Sequence, residues 1–364
     1  MSYPNYFEGL GVVEEQGWPQ TNKVKYAPKK LGPNDIDIKI NVCGVCGSDV
    51  HNSAGRWGER HFPMVPGHEV IGHIVKLGPQ CSRGLKIGQR VGLGPVILSC
   101  ENCESCKRGH YGSCPDLVVT YNGKYEDGNV SRGGFASHIR INENYAFEIP
   151  ENITSEVAAP LLCAGITAFA PLYRNKVQKG SKIGIVGIGG VGHMGVLFGK
   201  YFGSKVVAFD VVEAKRAPVL QQLNADNFFN NSEEKQLDEA IKLYKGSLDV
   251  LLIASNHING INWDKFISLM KFGGKIITIA EPPSNEALNI RPFSLIGCSF
   301  EASAIGSFEE TKTMLDIVSK EQDLKVLVEK SPLSSENLAN AFRKMDLGDT
   351  RFKIVMTDFD KFFK

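Results

Sequence analysis

The stretch "SKIGIVGIGGVGHMGVLFGKYFGSKVVAFD", residues 181–210, decides the fold. Its apolar run "KIGIV" predicts a strand buried on both faces. A glycine-rich turn follows, then an apolar helix ending near Gly203, then a second apolar strand. Strand, helix and strand together make a βαβ unit. Gly187, Gly189 and Gly192 spell G-x-G-x-x-G. That pattern is weak alone, but between a strand and a helix it marks a dinucleotide-binding turn. Its glycines let the backbone and the helix N-terminus approach a pyrophosphate. Asp210 ends the second strand, eighteen residues past Gly192. A carboxylate there holds the ribose hydroxyls of NAD and repels a 2′-phosphate. Lys215 and Arg216 lie a helical turn further on, within reach of such a phosphate, although residues of this kind are more often solvated charges.

Downstream, "LDVLLIAS" and "GGKIITIA" are continuous apolar runs, as strands covered on both faces require. "SFEETKTMLDIVSKE" predicts a helix and "RFKIVMTDF" a strand. Upstream of Pro150 the texture differs. "DIDIKINVCGVCG" alternates as a strand should, "HEVIGHIVKLG" and "GQRVGLGPVIL" are further strands with turn glycines, and no long amphipathic helix interrupts them. "ITSEVAAPLLCAGITAFAPLY" carries Ala and Leu at helical spacing. An irregular β-rich part therefore precedes an α/β part with a parallel sheet.

The second informative stretch is "CENCESCKRGHYGSC", residues 100–114, which holds four of the nine cysteines. Cys100, Cys103, Cys106 and Cys114 follow C-x2-C-x2-C-x7-C. A thiolate every third residue lets the loop curl so that its sulfurs converge, and four thiolates suit tetrahedral zinc in a closed site. An iron–sulfur cluster also takes four cysteines, but a single such loop without a partner cluster fits less well. Disulfides fit poorly, because nine is odd and thiols stay reduced in the cytosol.

"CGVCGSDVH" and "PGHEVIGHIVKLG" supply Cys46, His68 and Glu69, with Cys163 in "LLCAGIT" as a candidate third ligand beside the first two. A catalytic zinc takes three protein ligands and one exchangeable position. Taken singly, each residue has a plain structural reading as a core thiol or a hydrogen-bonded core imidazole. Ser48 and His51, two and five positions past Cys46, could pass a proton from a metal-bound alcohol to solvent. Local sequence alone favours turn chemistry for Ser48 and a solvated surface for His51.

Composition narrows the function classes. Of 364 residues, 42% are hydrophobic and 22% charged, as in ordinary globular proteins, and the length points to two domains. Forty-one Lys and Arg balance forty Asp and Glu, so no basic footprint for nucleic acid or anionic lipid exists. No apolar run approaches the roughly 20 residues that span a bilayer. "MSYPNYFEGLGVVEEQ" lacks the basic head and apolar region of a secretory leader. A cytoplasmic protein acting on small molecules, with neither nucleic acid nor membrane as partner, is the expectation.

The chain resembles the zinc-dependent medium-chain dehydrogenase/reductases over its whole length, and most closely the cinnamyl alcohol dehydrogenase branch. "CGVCGSDVH", "PGHEVIGHIVKLG", "CENCESCKRGHYGSC", "APLLCAGIT", "GIGGVGHMG" and "SAIGS" carry the likeness, in the right order. The resemblance implies a GroES-like β-rich catalytic domain of residues 1–155 and 310–364, interrupted by a doubly wound Rossmann domain of residues 156–309. It implies reversible hydride transfer (EC 1.1.1) between NAD(P) and medium-chain or aromatic primary alcohols and aldehydes. Two zinc ions per chain are implied. One is catalytic, on Cys46, His68 and Cys163 with Glu69 exchangeable, and the other is structural, on the cysteine loop. Ser48 and His51 would be the proton relay. Thr167 and Ser303 would lie near the nicotinamide, Gly187, Gly189, Gly190, Val191 and Gly192 along the phosphates, and Trp57 along the substrate pocket. The family is commonly dimeric. Many members of the branch use NADP and place Ser, often followed by Arg, where this chain has Asp210 and Val211. That departure favours NAD, with Lys215 and Arg216 keeping NADP as the alternative. A polyol dehydrogenase is the rival enzyme, and a zinc-stabilised nucleotide-binding recruit of the fold is the rival without catalysis. Cys43, Cys81 and Cys298 have no assigned role.

Overall fold

Strand β1, Asp35–Val45, organises the first part of the chain. Its alternating pattern predicts one polar face, yet most of both faces is buried. Asp37 is fully buried, and Arg140 grips its carboxylate at 2.7 and 2.8 Å. A bidentate pair of this kind is what lets a charge leave water. The structure, a computed structural model, describes residues 4–256, 258–281, 297–321 and 323–364.

Helix α1, Gly47–Ser53, follows β1 directly. Then come β2, Glu69–Leu77; β3, Arg90–Leu93; β4, His138–Asn142; and β5, Phe147–Glu148. Helix α2, Ser155–Arg174, contains a π-helical segment at Leu161–Gly165. This helix corrects the expectation of no membrane-length apolar run. It has 20 residues and is apolar enough to span a bilayer, but 72% of its most apolar window is buried inside the protein, as in a core helix.

The second part carries β6, Lys182–Val186; α3, Gly192–Tyr201; β7, Lys205–Asp210; β8, Asn227–Asn230; β9, Leu248–Ile253; β10, Met270–Thr278; and β11, Ser299–Ala302. After α4, Phe308–Lys320, the chain adds β12, Val328–Pro332, and β13, Lys353–Thr357.

Contacts divide the chain into two units. One comprises residues 1–163, 307–321 and 327–364, the other residues 164–306 and 322–326. The sequence-based border after residue 155 falls eight residues earlier than the division at Cys163, because the first turns of α2 pack on β1 and β2. Segment 322–326 also groups with the second unit, inside the stretch assigned from sequence to the first.

Among the described residues, the first unit's main sheet runs β12-β13-β1-β2-β3-β5, with β4 also paired to β1. Only β12 and β13 are parallel; the other pairs are antiparallel. Ile36, Ile38, Val70, Val91, Phe135 and Phe342 lie in its core. The second unit's sheet runs β8-β7-β6-β9-β10-β11 and is parallel throughout. This is the doubly wound order whose switch point, between β6 and β9, takes dinucleotides.

The candidate metal centre and nucleotide turn

Cys46 stands at the end of β1 as the N-cap of α1. Asp49, three residues later, is fully buried and accepts the Cys46 amide at 2.9 Å and the Gly67 amide at 3.0 Å. The same carboxylate lies 3.1 Å from His68 Nδ1. It fixes the tautomer, so Nδ1 carries the proton and Nε2 offers its lone pair. Nε2 faces Cys163 Sγ at 3.3 Å. Cys163 is carried in the π-helical segment of α2, a type of helix defect frequent at functional sites.

Donor atoms of Cys46, His68, Glu69 and Cys163 all lie within 4.8 Å of one another. A hydrogen bond from Cys163 holds the Cys46 thiol well below its ordinary range, while that bond and burial push Cys163 up. One sulfur is thus ready as a thiolate, and the second gives up its proton when a metal enters.

Glu69 is fully buried, and burial pushes its carboxyl up to about 7. Oε1 accepts from Lys353 Nζ at 2.6 Å, and that ammonium also donates to the Val45 carbonyl at 2.7 Å. Lys353 is itself 2% exposed. Burial opposes its charge, but Glu69, Cys46 and Cys163 outweigh burial and keep it protonated. Glu69 Oε2 has no hydrogen-bond partner. A Cβ at Gly44 would stand 2.0 Å from that oxygen, so only glycine admits the carboxylate here. Two thiols, an imidazole with its proton turned away and an unpartnered carboxylate oxygen form a donor set that suits zinc.

Ser48 and His51 sit one turn apart on α1, both half-buried. Cys46 Sγ lies 3.8 Å from Ser48 Oγ. The His51 ring stacks on Trp57, with centroids 5.0 Å apart and planes 22° apart.

The four sulfurs of the cysteine loop also converge within 4.8 Å. The Cys103 amide donates to Cys100 Sγ at 3.3 Å, and the Cys100 amide to Cys114 Sγ at 3.4 Å. Amides of Asn102 and Cys103 bring the Cys100 thiol down to about 7, whereas burial pushes Cys106 up to about 12. Cys106 Sγ lies 3.2 Å from Ser99 Oγ, which Tyr145 meets at 2.7 Å. Four sulfurs with no open position make a closed site. Cys43, unassigned from sequence, is a buried core thiol.

In the second unit, Gly187 has φ +86°, and a Cβ at Gly192 would meet the Gly187 carbonyl at 1.8 Å. Both must be glycine for strand and helix to approach this closely. A Cβ at Gly189 would meet nothing within 4 Å, which leaves an open cradle beside Gly190 and Val191 at the start of α3. Asp210 is 4% exposed. Its oxygens accept the Ile188 amide at 2.6 Å and the Val212 amide at 2.9 Å, and Lys215 Nζ pairs with it at 3.1 Å. Arg216 is committed elsewhere. It pairs with Glu213, donates to the Phe228 carbonyl and Gln236 at 2.7 Å each, and stacks on Phe228. Thr167 is half-buried in α2, and the Ser303 amide donates to the Thr278 carbonyl at 2.9 Å, just past β11.

Asp49, Lys353 and Gly44 escaped the sequence reading. Asp49 lay inside a quoted motif, three residues past a candidate ligand. Lys353 had one signal, a lone charge amid the apolar residues of "FKIVM".

Residues 32–151 match the alcohol dehydrogenase GroES-like domain family, and residues 190–320 the zinc-binding dehydrogenase family. The chain is 41% identical over 363 residues to NADP-dependent alcohol dehydrogenase 6 of Saccharomyces cerevisiae, covering 100% of this chain and 99% of that protein. It is 30% identical over 350 residues to cinnamyl alcohol dehydrogenase 8 of Arabidopsis thaliana, covering 96% and 95%. A solved cinnamyl alcohol dehydrogenase of Sorghum bicolor superposes with TM-score 0.89 at 29% identity, over 97% of each chain. Relatives this similar, matched end to end, place the chain among the zinc-binding medium-chain alcohol dehydrogenases, in the cinnamyl alcohol dehydrogenase branch, as an enzyme that interconverts alcohols and aldehydes with a nicotinamide nucleotide.

Proposed function

We propose that the chain is a zinc-dependent, NAD(H)-preferring reductase of medium-chain and aromatic aldehydes, also running in the alcohol-oxidising direction. The convergence of Cys46, His68, Glu69 and Cys163 on one buried point carries the reading. Those residues would hold one zinc, and the cysteine loop a second. At the first site the ion supplies Lewis acidity toward the substrate oxygen. The nicotinamide supplies or accepts the hydride.

The chain's own residues supply the rest. Asp49 orients His68, Lys353 balances the charge of Glu69, and Trp57 fixes the plane of His51. Ser48 Oγ is the hydroxyl beside the Cys46 sulfur, placed to take the alcohol proton. His51, one turn along the same helix, hands it on. Ser48→Ala is expected to keep the full zinc content and lose turnover by about 10²–10⁴-fold, the usual worth of a positioned proton carrier. Near-parental turnover would remove Ser48 from the path.

Cofactor preference rests on Asp210. Its carboxylate is anchored by two amides and by Lys215, so it has no room to swing from a 2′-phosphate. Arg216 is spent on Glu213, Gln236 and Phe228. Like charges at close quarters cost several kcal/mol. Initial rates with NADH are therefore expected to exceed those with NADPH by about tenfold or more, with Asp210→Ser narrowing the ratio. The assay compares cinnamaldehyde, hexanal and a sugar aldehyde. Preference for NADPH by the parent enzyme would overturn the assignment, and preference for the sugar would favour a polyol dehydrogenase.

A further inference from the structure

Trp57, which stacks on His51, stands four residues past the end of α1, in a loop between Gly55 at φ +74° and Gly58 at φ +109°. Glycine on both sides leaves this backbone little steric preference of its own. The place of the indole is therefore set by what grips the loop from outside. Arg56 pairs with Asp346 at 2.5 Å and lies over the Trp18 ring. Arg60 donates to the Ser53 carbonyl at 2.9 Å and to the Glu15 carbonyl at 3.1 Å.

Asn122 grips the loop on the far side of Trp57. Its Oδ1 accepts the His61 amide at 2.9 Å, and its Nδ2 donates to the Glu59 carbonyl at 2.8 Å. A primary amide offers a donor and an acceptor together in one plane, so a single side chain satisfies the backbone on both sides of Arg60. The arginines reach out on long side chains that keep many rotamers, whereas Asn122 joins backbone to backbone through a short one. Asn122 is itself anchored in a different turn. Its own amide donates to the Ser131 carbonyl at 3.0 Å, and the Gly123 amide to Ser131 Oγ at 2.9 Å. Its φ is +62°, a region that asparagine enters more readily than other side chains.

We propose that Asn122 is a positioning residue for the proton path: by clamping Glu59 and His61 it keeps the Trp57 ring on the His51 imidazole and so holds that imidazole in place. The proposal rests on the reading of Ser48 and His51 as that path. It assigns Asn122 no contact with substrate.

The test uses the zinc-loaded full chain oxidising hexanol with the nucleotide it prefers. Asn122→Gly removes the clamp, and glycine accepts the same φ without strain. Turnover should fall about 10–100-fold, the scale of a slightly misplaced group, with KM for hexanol and zinc content unchanged. The solvent deuterium isotope effect on turnover should rise, because proton transfer becomes slow. Added imidazole, a diffusible proton carrier, should return part of the loss. Trp57→Leu should reproduce all of these changes, and Trp57→Phe, which keeps a ring to stack, should be milder. Joining Trp57→Leu to Asn122→Gly should add little, since residues acting through one chain of contacts are coupled. Parental turnover in Asn122→Gly would overturn the proposal. So would a fall in turnover with a parental isotope effect and no rescue by imidazole, since that pattern belongs to general loosening, and so would full additivity of the two substitutions. His51→Ala separates the two layers. If it keeps parental turnover, the proton-path reading fails and the Asn122 role with it. If it loses turnover and imidazole restores it while Asn122→Gly stays parental, only the Asn122 role fails.

Discussion

Cys163→Ala is expected to leave the chain with one zinc instead of two and to cut aldehyde reduction about a thousandfold. The direction follows from the donor set. Removing one sulfur leaves Cys46, His68 and a carboxylate already paired with Lys353. Two good donors and a compromised third hold a divalent ion poorly. Lewis-acid assistance is worth several kcal/mol of barrier. At about 4 kcal/mol, and about 1.4 kcal/mol per tenfold, the loss is about three decades. Metal analysis and single-turnover rates check the two halves separately. Two zincs with parental turnover in Cys163→Ala would end the proposed ligand assignment, whereas one zinc with parental turnover would end the role of that ion in the reaction.

The second large effect is on stability. Lys353 and Glu69 form a salt bridge at 2.6 Å, with side chains 2% and 0% exposed. Breaking such a pair by removing one partner typically costs about 3–5 kcal/mol, because the other charge stays buried alone. Lys353→Met should lower the unfolding free energy of zinc-stripped protein, read from urea denaturation, by an amount in that range. The Val45 carbonyl loses its donor as well, which adds to the cost. Lys353→Met combined with Glu69→Leu should recover most of the loss, since an apolar pair of similar volume is often neutral. A single Lys353→Met variant as stable as the parent would show that the pair contributes nothing to stability.

The parts legible in the sequence share one property: their partners are near in the chain. The nucleotide turn needs Gly187, Gly189 and Gly192 within six residues, and its strands are unbroken apolar runs because both faces are covered. The cysteine loop closes its sulfurs within fifteen residues. Family likeness supplied the more distant Cys163, which spacing alone left as one candidate among buried thiols. What stayed hidden depends on separation. Lys353 meets Glu69 across 284 positions, and no local pattern announces a counter-ion that far away. Asp37 stayed hidden for a related reason. Alternation in β1 predicts that it faces water, and only the arrival of Arg140 on β4 makes its burial affordable. The π-helical segment around Cys163 left no mark either, because its Leu and Ala residues continue the helical spacing of their neighbours.

The late pairing of β13 with β1 has a consequence for biosynthesis. As the polypeptide leaves the ribosome, all four donors of the first site have emerged once residue 163 is out, yet Lys353 is still 190 residues from synthesis. Until β13 docks, Glu69 has no ammonium to balance it, and the end of β1 at Cys43–Val45 lacks its partner on one side. The first unit's main sheet therefore stays incomplete until the whole second unit has been synthesised. Premature termination between Cys163 and Lys353 would leave a product that carries the four donor residues and lacks the counter-charge.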